Sequence, residues 1–381
     1  MTGTQQGPDF PGGNVSSYRG QVVYLYAYDI AYDLKDQDIQ TLLGQKLTRF
    51  AVGPSKRNPR EALFYRPLMI TLPPVQKVGP NGPVRVERTV KLFPVGAISI
   101  SVSVPFEVRD GQELVAYHEL QFADGPLQDQ AKQLAEEVRR ELAPYCVRPV
   151  SQLRDEEAYT VFCIRSPLTA DDGRSVPAEA WLRDRQRQVA GLLTQEPNPG
   201  ILSTQEAVES IGMYLSYYES DLVVIDWDAA LVIDQAFDEV LHVMELANVQ
   251  LAELEAYDAI LDDSLVRSYR DLATRTSGVK ADVLGSLRII RLDLARLSDE
   301  LFNTTKFFGD WHLARVYQHL SARFHLRDWQ KTVEDKLKTL DGLYQILKQD
   351  QLNRWMMALE ITIVLLFIID LVVLLIPVVG K

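Results

Sequence analysis

"YYESDLVVIDWDAALVID" runs from Tyr217 to Asp234. Two apolar runs, Leu222–Ile225 and Ala230–Ile233, flank Asp226, Trp227, Asp228 and Ala229. So short a loop between apolar runs predicts a β-hairpin. Its aspartates would accept backbone hydrogen bonds at the turn, and Trp227 would pack or face a partner. The same residues also suit a reaction centre, because a hydrophobic strand delivers two carboxylates to one loop. The stretch divides the chain as well: strand and helix signals mix before it, and only helix signals follow it.

Upstream, "QVVYLYAYDI" is β-branched and aromatic and predicts a strand, with "LKDQDIQTLLGQKL" helical after it. "EALFYRPLMITLP", "PVRVERTVKLFP" and "GAISISVSVPFEV" predict further strands, punctuated by turns at Pro73-Pro74 and "VGPNGP". "GPLQDQAKQLAEEVRREL" predicts a helix entered at Gly125-Pro126 and stopped before Pro144. "EEAYTVFCIRS" returns as a strand, and "VPAEAWLRDRQRQVAGLLTQE" and "STQEAVESIGMYL" are helical, the second opening with a capping box from Ser203 to Glu206. The fold class is α+β, without a regular βαβ array.

Downstream, "IDQAFDEVLHVMELANVQLAELEAYDAILDDSL" reads as one long amphipathic helix. In "VLGSLRIIRLDLARLSDELF" apolar residues fall at Leu287, Ile290, Leu294, Leu297 and Leu301. "TVEDKLKTLDGLYQIL" repeats the rhythm with Val333, Leu337, Leu340, Tyr344 and Leu347. Two heptads in each predict a helical hairpin or stalk, packed within the chain or coiled against a second copy.

"ITIVLLFIIDLVVLLIPVV", Ile361–Val379, holds sixteen Leu, Ile, Val or Phe residues among nineteen. Each favours insertion by about 0.3–0.6 kcal/mol, against about 2.5–3.5 kcal/mol for Asp370 near the middle. A helix of about 20 residues spans the hydrocarbon of a bilayer, so one membrane span is expected, with the lipid bilayer as a partner. Lys331, Lys336, Lys338, Lys348 and Arg354 precede it and Lys381 follows, which places the large N-terminal part in the cytoplasm. Only Gly380 and Lys381 follow the span, so a tail-anchored, single-pass protein is expected. Glu360 and Asp370, ten residues apart, are about 15 Å apart along a helix. They mark the face for self-association; an acid at mid-span also suits a pore in a small oligomeric channel.

The expected organisation is a flexible lead-in at 1–19, a cytoplasmic α+β domain at 20–234, a helical hairpin or stalk at 235–354 and a transmembrane helix at 355–379. The chain carries 52 acidic and 40 basic residues, a net charge of −12. That balance argues against DNA as a partner, whose phosphates need a basic footprint. The two cysteines, Cys146 and Cys163, have no metal spacing and suit a reducing compartment. The N-terminus has no apolar core, so neither a signal nor a transit peptide is expected. No pair among His118, His242, His312, His319 and His325 is three or four residues apart, and no P-loop, G-x-G-x-x-G or nucleophile elbow occurs. No metal and no cofactor are expected. "RFHLRDWQKTVEDKLK" gathers Arg323, Arg327, Lys331, Lys336 and Lys338, a candidate contact for anionic lipid or ribosomal RNA; Asp328, Glu334 and Asp335 interleave them, as on a solvated helix face.

"LVVIDWDAALVID" is similar to the first motif of haloacid-dehalogenase-type phosphotransferases, which implies Asp226 as nucleophile and Asp228 as acid/base beside Mg²⁺. The sequence departs from it after Asp228, where Ala229 and Ala230 follow. The motif also normally opens its domain, and here only helical chain follows to supply later motifs. A second resemblance covers roughly Leu222 to the C-terminus. "LEITIVLLFIIDLVVLL" and "VLHVMELANVQLAELEAYDAILDDSL" resemble the "required for meiotic nuclear division" family of mitochondrial and bacterial membrane proteins. That resemblance implies an α+β domain, a helical hairpin and one C-terminal span in an inner membrane. It also implies support of translation by tethering ribosomes or another membrane-associated assembly; no enzymatic activity is established for that family. Lacking a transit peptide, this chain is expected in a bacterial inner membrane. The sequence thus reads as a non-enzymatic, self-associating membrane scaffold with no catalytic residue. A membrane-anchored Mg-dependent phosphohydrolase using Asp226 and Asp228, and a channel with Asp370 in its pore, are the alternatives.

Overall fold

The computed structural model describes residues 17–35, 39–49, 67–93, 95–170, 173–274 and 311–375. The heptad stretch Leu287–Leu301, residues 1–16 of the expected lead-in and Pro377–Val379 lie outside them. The fold is mixed α and β: a large sheet with helices on it, further helices after it and an apolar helix near the C-terminus.

Among the described residues the main sheet has nine strands: β1 (Tyr18–Asp29), β2 (Thr48–Arg49), β3 (Leu68–Gly79), β4 (Gly82–Leu92), β5 (Ala97–Val108), β6 (Glu157–Arg165), β7 (Tyr214–Leu215), β8 (Leu222–Ile225) and β9 (Ala229–Asp234). Their spatial order is β7-β8-β9-β6-β1-β5-β4-β3-β2. Every pairing is antiparallel except β6 with β9, which run parallel with Thr160 opposite Ala229. The helices and hairpin between them form the long crossover that a parallel pair requires.

β1 is central because its side chains are buried on both faces from Val22 to Tyr28. Val22, Tyr24, Tyr26 and Tyr28 join the larger core, under α1 (Leu127–Leu142) and the short α2 (Ala178–Asp184), α3 (Gln186–Leu193) and α4 (Thr204–Ser210). On the other face Ala27, Phe93 and Ala97 pack against Val249 and Ala252 of α5 (Asp238–Thr274). Gly20 marks where β6 crowds β1: a Cβ there would fall 1.8 Å from the Cys163 carbonyl oxygen.

Several local expectations need correction. The described part of "LKDQDIQTLLGQKL" is not helical: Leu34 ends a strand paired with Cys146–Pro149, and Thr41–Leu42 turns back on Gln45–Lys46. Gly44 at φ +70° and Leu43 at φ +50° make that turn, a conformation no helix interior takes. Pro73-Pro74 is no turn but the bulge in β3 where the register shifts between Leu72 and Val75; prolines are tolerated there because a bulge frees the ladder of their missing N–H. The stretch after Val176 breaks into α2 and α3 at Arg185, and the last residues of "STQEAVESIGMYL" form strand β7 after α4.

Among the described residues, α6 (Trp311–Arg323) and α7 (Leu326–Leu375) follow. Two compact units result. One holds the described residues within Met1–Ala256 and Arg296–Trp329, the other those within Tyr257–Ala295 and Gln330–Lys381. In the second unit Leu261, Val333, Leu337 and Leu340 are buried, and Lys336 reaches Asp258 and Asp262 at 2.7 Å each.

Candidate functional site: a hairpin turn seated on a helix joint

β8 and β9 form a tight hairpin in which Ile225 faces Ala230 and the Asp226 N–H donates to the Ala229 carbonyl at 2.9 Å. Trp227 and Asp228 are the two loop residues. The Asp226 carboxylate accepts from the Trp227 N–H at 2.8 Å, as a turn aspartate does. From beneath, the hydroxyl of Tyr159 in β6 donates toward the carbonyls of Asp226 (3.0 Å) and Ala229 (3.1 Å), closing both ends of the turn. Burial holds the Tyr159 phenol well above its ordinary value.

The joint between α6 and α7 meets this turn residue by residue. Arg323 places its guanidinium on the Asp226 carboxylate. Phe324, buried, packs edge-on against the Tyr159 ring with centroids 5.1 Å apart. His325 lies against Trp227 at 5.7 Å. His325 adopts φ +51°, a left-handed conformation that costs roughly 1–3 kcal/mol and persists only where its surroundings impose it. Its carbonyl then accepts from the N–H groups of Asp328 (2.9 Å) and Trp329 (3.0 Å) and opens α7.

A carboxyl cluster lies beside the turn. Glu157, at the start of β6, hydrogen-bonds Glu255 of α5. Burial, and then that bond and the charges of Glu255, Asp228 and Glu156, push its carboxyl up to about 8. Glu157 therefore keeps its proton at neutral pH. Burial also raises Asp228, with Asp226 adding to it. Asn248 anchors α5 there by donating to the Glu157 carbonyl at 3.0 Å.

A third buried group lies where α5 crosses β4. Lys91 contacts the Glu245 carboxylate, with His242 Nδ1 4.0 Å away, and all three are buried. Burial alone would raise the Glu245 carboxyl, but Lys91 and His242 outweigh it and hold it at about 2. Burial lowers His242. Among the described residues, no group of three or more His, Cys, Asp or Glu side chains is placed to hold a metal ion.

The structure therefore brings Asp226, Trp227 and Asp228 together with Arg323 and divides the basic run. Arg323 is committed to Asp226, Lys336 to Asp258 and Asp262, and Lys338 to Asp335 at 3.1 Å, while Arg327 and Lys331 are exposed. Glu360 and Asp370 lie exposed on the apolar helix. Sequence reasoning did not find Tyr159, Glu157, Glu255 or the Lys91 group. A lysine inside the strand "TVKLF" and a glutamate inside the apolar "VMELA" were the available signals for the last.

Residues 19–239, more than half of the chain, match the family described as uncharacterized protein MJ0711, N-terminal domain. The chain belongs to this family. The match takes in the sheet, α1 to α4 and the Asp226–Asp228 turn, and it ends as α5 begins, so Glu255 and Arg323 lie beyond it. The chain is also similar to the uncharacterized protein MJ0711 of Methanocaldococcus jannaschii, 22% identical over 219 residues, which are 57% of this chain and 65% of that protein. It thus spans less than two thirds of the curated relative it matches. No solved structure matches. The matched family is not the meiotic nuclear division family that the stretch from roughly Leu222 onward resembles, and these matches do not show membership of the latter.

Proposed function

We propose that the protein is a non-catalytic scaffold, held to a membrane by α7, self-associating through that helix and presenting its sheet domain on the cytoplasmic side. The observation that carries this reading is the stretch Trp355–Val372. These 18 residues are long and apolar enough to cross a membrane, and none of the stretch is buried. At 1.5 Å per residue it covers about 27 Å, close to the hydrocarbon thickness of a bilayer. A core helix of a soluble protein would bury its apolar side chains; Ile363, Leu366, Phe367 and Ile369 are all exposed. Lys338, Lys348 and Arg354 approach it from the N-terminal side, which favours a cytoplasmic sheet domain. Asp370 favours self-association, because a carboxyl in hydrocarbon is stabilised by hydrogen bonding to a copy of itself.

The non-catalytic part rests on the turn. A phosphoryl-transfer nucleophile must be free to attack, and Asp226 is engaged by Arg323 and by the Trp227 N–H. A link to membrane-proximal translation rests on the resemblance over the C-terminal half. The test is fractionation of cells making the full chain, followed by alkaline carbonate extraction. The protein is expected to stay with the membrane pellet and to appear in the wash when Leu366 and Phe367 are both changed to Arg. Wild-type protein released by carbonate would refute the anchor.

A further inference from the structure

We propose that the Asp226–Asp228 turn is a latch on the joint between α6 and α7, able to hold or release the start of α7 without unfolding the sheet. Consecutive residues of the joint are met in turn. Asp226 takes Arg323, Tyr159 underpins Phe324 and Trp227 covers His325. The three contacts differ in kind: a largely buried ion pair, a buried edge-on ring pair and a half-exposed ring pair. Their division of labour follows from burial.

Phe324 and Leu326 sit in the core at either side of His325 and serve as the fulcrum. Trp227, 49% exposed, and the exposed His325 form a layer that can lift away with little new apolar surface bared. Arg323 is the catch. Its Nε is buried with no hydrogen-bond partner, so Asp226 satisfies only part of the guanidinium. Burial so incompletely satisfied is costly, and it makes the closed joint easier to open than a fully bonded one. The left-handed backbone at His325 adds to this, since it persists only while neighbours impose it. The whole latch lies within the first compact unit and does not depend on the membrane reading.

Hydrogen exchange read by mass spectrometry tests the latch on the full chain in mild detergent, comparing wild type, Trp227→Ala and Asp226→Asn. The amides of Phe324, His325, Asp328 and Trp329 are expected to exchange at least about tenfold faster in both variants, while Val161–Ile164 in β6 keep their protection. Joint exchange unchanged in both variants would overturn the proposal. So would a joint that opens only together with β6 in Trp227→Ala, the variant that removes an exposed side chain. If Asp226→Asn loses the sheet as well, Trp227→Ala alone decides, by the same two outcomes.

Discussion

Arg323 reaches back 97 positions in sequence to set its guanidinium on the carboxylate of Asp226, with 17% and 8% of the two side chains exposed. The contact makes the hairpin turn a structural partner of the last helices. Removing one member of so buried a pair strands the other charge, at a cost of about 3–5 kcal/mol. Arg323→Met and Asp226→Asn are each expected to lower the unfolding free energy by that order. The double variant should lose clearly less than the two together, because neither charge is then left alone. Additive losses in a double-mutant cycle would show that the pair is not coupled.

Glu157 gives the domain a pH signature. Its folded value of about 8 lies above the ordinary glutamate value of 4.5, so the folded state holds a proton that the unfolded chain has released between those limits. The favourable contribution is fully present below about 4.5 and is lost as pH rises through about 8. Glu157→Gln removes the titrating group while keeping a hydrogen bond to Glu255. Melting temperature should then depend less on pH across this window, and should exceed wild type above pH 8. Parallel wild-type and variant pH profiles would contradict a proton held on Glu157.

Lys91 and Glu245 should behave in the opposite sense. With Glu245 held at about 2, its contribution is present above about 4.5 and is lost as pH falls through about 2. Lys91→Met leaves the carboxylate buried beside His242 and is expected to destabilise by about 3–5 kcal/mol at pH 7. Lys91→Met with Glu245→Leu should recover much of that loss, since apolar side chains of similar size can replace a buried pair. Thermal melts of wild type and the two variants at pH 7 check the order.

Lys336 offers a contrast within the second unit. It touches Asp258 and Asp262 with 24% of its own side chain and 19% and 56% of theirs exposed, so the contact is wetter than that of Arg323 with Asp226. Water screens such a pair, so Lys336→Ala should cost no more than about 1 kcal/mol, and less in high salt. A loss comparable to that of Arg323→Met would mean the contact carries more than exposure suggests.

Much of the fold was legible because periodicity reports burial. β1, β5 and β6 announce themselves by branched and aromatic runs, α1 by its spacing and flanking prolines, and the hairpin by two apolar runs around Asp226–Asp228. The errors came where local chemistry is ambiguous. "DIQTLLGQKL" has helical composition, yet Leu43 and Gly44 take left-handed backbone, which no periodicity reveals. Pro73-Pro74 resembles a turn, yet a bulge accommodates it within a strand. The site was half legible. Asp226 and Trp227 stand out in sequence, whereas Arg323, Tyr159 and Glu255 join them only through the tertiary fold, at separations no local pattern encodes.

The most direct test of the proposed scaffold is the molar mass of the full chain in mild detergent, by light scattering after size exclusion, for wild type and Asp370→Leu. Wild type is expected at a multiple of the chain's own mass, and Asp370→Leu, without the carboxyl that bonds its copy, is expected to shift toward the monomer. A wild-type protein that is strictly monomeric and brings down no partner would contradict the account.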